Sequence, residues 1–149
     1  MYLGLDLGTS SLKGLLIDEA QKIVGSANSK LDVMRPNDRW SEQEPNNWID
    51  AAEIVIEQLI QNFPIQMRSL KAIGLSGHMH GATLVDKAGK AIRPCILWND
   101  TRSHQEAVEL DSTPEFRAIS GNIVFPGFTA PKLVWTQRNE PENFNKIHK

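Results

Sequence analysis

Asp6 closes an apolar run, and Gly8-Thr9-Ser10-Ser11 follows at once, with Lys13 shortly after. A short turn of small residues lets the N–H groups of Thr9, Ser10 and Ser11 face one anion, and Gly8 lets the chain bend or approach a ligand closely. A carboxylate beside a nest of phosphate size is placed to hold Mg²⁺, ordinarily through waters. The turn is neither of the usual nucleotide loops, G-x-x-x-x-G-K-[ST] or G-x-G-x-x-G. Taken by itself it also fits a plain β-hairpin with a polar turn. A second cluster, Gly77-His78-Met79-His80-Gly81, flanks a thioether with two imidazoles. His-x-His in an extended segment puts both rings on one side and would suit a metal, but no Cys, Asp or Glu lies within a few residues to complete a set. Ordinary polar loop residues are the other reading.

The elements that must carry these groups can be read from periodicity and punctuation. Tyr2–Asp6 and Gly14–Asp18 read as two strands, and Lys22–Ser29 returns as a third, giving an antiparallel meander. Leu31–Arg39 is irregular, with Pro36 and Asn37-Asp38 as turn markers. Trp40-Ser41-Glu42-Gln43-Glu44 leads into a helix that Pro45 opens, and Trp48, Ala52, Val55, Ile56, Leu59 and Phe63 form one apolar stripe on it. Pro64 ends that helix, which is long enough to cross over to a further strand at Leu70–Ser76. A hairpin is expected from Ala82–Asp86 and Ala91–Trp98 around Lys87-Ala88-Gly89-Lys90. Asn99-Asp100 is expected to cap a helix to about Leu110. Further helices are expected from Thr113-Pro114, Pro131 and Pro141. Asp18 and Asp86 read as turn formers, Trp48 and Trp135 as core, and Lys132 as solvated on its helix or paired with an acid.

The chain has 149 residues, room for one domain with a proper core, and a net charge of −2. With no basic stripe, a nucleic-acid partner is not expected. The single cysteine, Cys95, excludes an internal disulfide and fits a reducing cytoplasm. The first residues lack the basic start of a signal peptide, and no apolar stretch approaches a membrane span, so a cytoplasmic protein with no membrane partner is expected.

Asp6-Leu7-Gly8-Thr9-Ser10 resembles the first phosphate motif of the actin-like ATPases. Taken with Trp40-Ser41-Glu42-Gln43-Glu44-Pro45, Gly77-His78-Met79-His80-Gly81-Ala82-Thr83, Ile96-Leu97-Trp98-Asn99-Asp100-Thr101-Arg102 and Pro126–Trp135, the chain resembles, over essentially all its length, the N-terminal part of the FGGY family of carbohydrate kinases. The segment Gly127–Asn139 resembles that family's first signature and departs at Thr136, where an aliphatic residue is usual; this is a helix-packing position. The resemblance implies an α/β protein with a ribonuclease H-like, actin-like ATPase fold, of which this is the N-terminal portion only: three antiparallel strands, a crossover helix, a further strand, then hairpin and helical additions. It implies ATP and Mg²⁺ as cofactors, with Asp6 near the metal and important for activity, and with Gly8, Thr9, Ser10 and Lys13 at the phosphates.

The Met79-His80 pair fits the branch of the family that phosphorylates D-xylulose. The resemblance makes Met79 and His80 the ketose contacts and Trp98 an aromatic wall, with Asn99, Asp100, Gly127 and Phe128 as further walls. Such a set suits a sugar, with His80, Asn99 and Asp100 for its hydroxyls and Met79, Trp98 and Phe128 for its C–H face. Trp98 as plain packing is the competing reading. The catalytic base, the adenosine-binding residues, the rest of the first domain and a second domain are expected beyond Lys149, so 149 residues alone should not turn over. A truncated piece and a split gene are both open. Exposed apolar surface would then favour a dimer or larger assembly. Ribulose, gluconate or glycerol kinase, a non-catalytic ATPase-like module, and a stand-alone sugar-binding protein are the alternatives.

Overall fold

The computed structural model describes every residue from Met1 to Lys149. The elements are β1 (Tyr2–Leu7), β2 (Ser11–Ile17), β3 (Ile23–Lys30), β4 (Glu42–Gln43), α1 (Pro45–Asn62), α2 (Pro64–Arg68), β5 (Ala72–Gly77), β6 (Cys95–Ile96), α3 (His104–Asp111), α4 (Pro114–Ser120), α5 (Thr129–Asn139) and α6 (Pro141–Phe144). The chain forms two compact units: Met1–Val33 with Asn46–His78, and Met34–Pro45 with Met79–Lys149. Length alone allowed one.

The first unit is a sheet in the order β3-β2-β1-β5. The first three strands are antiparallel neighbours, and β5 returns parallel to β1. Strand alternation explains its two faces. Leu3, Leu5, Leu12 and Leu16 point to one side and pack on Ala51, Val55 and Leu59 of α1. Two glycines let helix and sheet come together. A Cβ on Gly14 would stand 2.5 Å from Val55 Cγ1, and one on Gly25 would stand 2.3 Å from the Phe63 ring. Asp18 Oδ1 accepts from the N–H groups of Ala20 and Lys22, both at 2.9 Å, which is the turn role expected of it. Exposure runs along the whole of β5, with Leu75 at 80 %.

In the second unit the expected hairpin is much reduced. Its strands are reduced to the single bridges Ala82↔Ile96 and Val85↔Ala91, while its turn is kept, with Asp86 Oδ1 accepting from the N–H groups of Ala88 and Lys90. The two-residue β6 instead pairs with β4, inside the stretch read as a lead-in to the helix. Two residues carry no period, so no alternation could announce them. The helix expected to start at an Asn99-Asp100 cap starts at His104, because the Asp100 carboxylate is taken by Arg102 and by Ser41 N–H. The α5 helix opens at Thr129, two residues before Pro131; a proline in the first turn gives up only an N–H that has no partner within the helix.

Candidate functional site

The turn that resembles a phosphate motif lies in the first unit. The register sets Asp6 opposite Lys13 on one neighbour and Ser76 on the other, and Lys13 opposite Asn28. Asn28, Lys13, Asp6 and Ser76 therefore form one polar row across all four strands. This row lies on the sheet face turned away from α1, because Asp6 alternates with the buried Leu5. Asp6 is exposed, and Ser76 Oγ donates to its Oδ1 at 2.5 Å. That bond leaves the other carboxylate oxygen to outside donors or a cation. Gly4, Asp6, Lys13, Leu15, Ser26, Asn28 and Ser76 line a hollow of about 530 Å³ on this face. Gly8 N–H donates to Ser11 O at 3.0 Å and Ser10 O accepts from Leu31 N–H at 2.9 Å, so the turn is closed by its own backbone. The Gly8 donor is spent in that closure, and Thr9 and Ser10 stand at the tip.

Ser76 ends the strand expected at Leu70–Ser76, and the sequence reading gives it no part in the site. A hydroxyl two residues before His78, at the carboxyl end of a predicted strand, was the available signal.

The other candidate residues lie in the second unit. Met79, His80, Trp98 and Asn99 are exposed, and Phe128 is partly buried. The His80 and Phe128 rings stack at 4.5 Å with 32° between planes, and Phe125 meets Phe128 edge-on at 5.6 Å. His80 has φ 64°, a left-handed conformation that costs a non-glycine residue roughly 1 kcal/mol. A Cβ on Gly127 would stand 2.3 Å from Trp98 O, so only glycine lets these two segments touch. Residues 80 and 128 thus meet through their rings, and 98 and 127 through their backbone, although they are distant in sequence.

Two expectations need correction. Asp100 was expected to offer hydrogen bonds to a sugar, but it is fully buried. Its Oδ2 accepts from Ser41 N–H at 2.6 Å and from Arg102 Nη2 at 2.7 Å, and its Oδ1 accepts from Arg102 Nε at 2.9 Å. Its work is to hold Arg102, which also reaches Glu42 at 2.7 Å and lies 3.6 Å over the Trp40 ring. Lys132 was expected in solvent or paired with an acid, but it too is fully buried, and its hydrogen-bond partners are carbonyls. Its ammonium donates to His80 O and Gly127 O, both at 2.7 Å. Burial pushes its pKa down to about 8. Its helical neighbours Pro131 and Thr136 are buried with it, and Thr136 Oγ1 donates to Lys132 O at 2.8 Å.

No group of three or more His, Cys, Asp or Glu side chains stands together in a metal-holding cluster. One exposed carboxylate on a phosphate turn instead suits a hard cation that keeps most of its waters and takes its other ligands from phosphate, as Mg²⁺ does.

A three-stranded meander, a crossover helix and a parallel fourth strand, with an acid and a glycine–hydroxyl turn at the end of β1, define the first part of an actin-like ATPase fold. The family model for the N-terminal domain of the FGGY carbohydrate kinases matches residues 1–149, and the chain belongs to that family. It is 47 % identical to the xylulose kinase of Escherichia coli strain K12 over 150 residues, covering all of this chain and 31 % of that protein. The crystal structure of a xyloylose kinase from Brucella ovis superposes with a TM-score of 0.97 at 61 % identity, over 99 % of this chain and 31 % of that one. A Plasmodium falciparum glycerol kinase with ADP shares the fold at a TM-score of 0.85 and 25 % identity, over 98 % of this chain and 30 % of that one. The chain spans about a third of the length of these relatives. No helix is long and apolar enough to cross a membrane.

Proposed function

We propose that this chain supplies the phosphate turn and the sugar wall of an ATP-dependent kinase that phosphorylates D-xylulose to D-xylulose 5-phosphate. The observation that carries the sugar reading is the set of aromatic and polar residues gathered in the second unit. There the His80–Phe128 stack, the exposed Met79 and Trp98, and Asn99 combine flat apolar area with polar groups, as a sugar pocket requires. The xylulose kinases among the relatives favour that sugar over glycerol or gluconate.

MgATP would supply the transferred phosphoryl group and the positive charge that neutralises it. Asp6 would hold the metal through water, oriented by Ser76. Thr9 and Ser10 would offer donors to the phosphate, and Lys13, in the same row, would add a cation. His80 and Asn99 would orient the sugar hydroxyls, while Met79, Trp98 and Phe128 would carry its C–H face. Catalysis of this kind is mainly positioning and charge stabilisation. We propose that the carboxylate base and the adenosine contacts come from sequence outside these 149 residues, and that the chain alone has no turnover.

A tryptophan fluorescence titration tests the sugar reading. D-xylulose should give a saturable change that D-ribulose, glycerol and gluconate do not, and Met79→Ala and His80→Ala should each abolish it. A change with all four sugars, or one that survives both substitutions, would sink it.

A further inference from the structure

The buried Lys132 has no part in the chemistry above. We infer that Lys132 is a positioning residue for the sugar wall: its ammonium, held inside the second unit, ties the His80 and Gly127 carbonyls together and so sets the surface that His80, Phe128 and Trp98 present. The ketose specificity of that surface rests on the proposed function; the tie itself does not.

Four observations carry the inference. The ammonium makes two bonds of 2.7 Å to carbonyls 47 residues apart in the chain, within charge-assisted range. One carbonyl belongs to His80, whose left-handed backbone must be held by its surroundings. The other belongs to Gly127, which touches the Trp98 carbonyl and precedes Phe128. Thr136 binds the Lys132 carbonyl one turn on, fixing the stem.

The charge is kept at the fold's expense. A lysine titrates near 10.5 when unfolded, and this one near 8 when folded. The unfolded chain therefore binds the extra proton between those values, and stability rises with pH across that window. Below about pH 8 the folded protein carries a buried cation that opposes folding. The charged and titratable groups facing it are the Cys95 thiol, raised by burial, and the Asp100–Arg102 pair. Neither forms the bonds that hold it; the two carbonyls do.

The prediction is read first without ligand. Lys132 binds the carbonyls whose peptide nitrogens belong to Gly81 and Phe128. In the wild-type protein the ¹⁵N shifts of Gly81 and Phe128 should titrate together with a midpoint near pH 8. The same transition should vanish in Lys132→Met. Two flat titrations, or a midpoint near the ordinary imidazole value of about 6.5, would overturn the inference. The second reading is functional. Sugar affinity should weaken roughly tenfold above pH 8, the factor separating a charge-assisted from a neutral bond, and Lys132→Met should carry that weakness at every pH. Unchanged affinity in a folded Lys132→Met protein would also overturn it. A paired titration in a protein that binds no D-xylulose supports the tie and sinks the ketose assignment instead.

Discussion

Leu16, Val55 and Leu59 are fully buried in the sheet unit, and Asp100, Lys132 and Thr136 are buried as deeply in the other. The first unit closes on aliphatic side chains across glycine gaps. The second has apolar residues of its own, Ile96 and Leu97 among them, but a connected set of buried charges joins its short segments: Glu42 to Arg93 and Arg102, Arg102 to Asp100, and Arg93 to Glu140 at 3.1 Å. Long strands bring enough backbone pairing to define themselves. Segments of two residues do not, and here side-chain ions fix their register. The difference predicts how each unit breaks.

The largest effect is expected at Arg102. Removing one partner from a buried ion network strands the others in low dielectric, at about 4 kcal/mol. Arg102→Ala leaves Asp100 without its ion partner, leaves Glu42 with Arg93 alone, and uncovers the Trp40 ring. Urea unfolding should shift accordingly, and amide exchange should accelerate in β4, β6 and α3 while β1 and β2 stay protected. A loss below 1 kcal/mol would mean that the network decorates the second unit and does not hold it.

That division also decides what the sequence disclosed. The meander, α1 and β5 follow from short apolar runs and from a stripe at helical spacing, and the structure keeps their ends within three residues. Asp6 and its turn follow for the same reason, since a strand end is a readable place. In the second unit the residue types were legible and their placement was not. Nothing local says that Asp100 turns inward or that Lys132 leaves solvent, because each choice also depends on a partner far away in sequence, Ser41 for Asp100 and His80 for Lys132. Gly127 was quoted for its motif, but its contact with the Trp98 carbonyl is visible only in three dimensions.

Next in size is a cavity in the apolar unit. Leu59 is fully buried against the sheet, and Leu59→Ala should lose about 3 kcal/mol as a transfer and cavity effect. The loss should not vary with salt, and amide exchange should accelerate in β1, β2 and α1 while β4, β6 and α3 stay protected, the reverse of Arg102→Ala. Exchange that accelerates equally in both units in the two variants would erase the distinction between them.

Filling a gap should do less. At Gly14 an alanine Cβ would meet Val55 Cγ1 at 2.5 Å, so the Val55 side chain or its helix must shift, and overpacking of this kind costs about 2 kcal/mol. Gly14→Ala with Val55→Ala should recover much of that loss in a double-mutant cycle. No recovery would show that the strain lies elsewhere than at the α1 contact.

The smallest effect is expected where charge lies outside. Lys71 and Glu19 pair in the sheet unit with both side chains largely exposed. The hydrogen bond and charge of Lys71 hold the Glu19 carboxyl below its ordinary value, and Glu19 raises Lys71. A lowered carboxylate contributes above the unfolded value of 4.5 and stops contributing as pH falls through its folded value. A raised lysine contributes below 10.5 and stops as pH climbs through its folded value. Between those limits the pair acts in full, yet water and salt screen it. Glu19→Gln should leave the unfolding midpoint where it was at neutral pH, in low salt and in high. A clear loss at low salt that salt removes would show that exposed charge also supports the sheet unit, and the contrast with Arg102 would then be one of depth alone.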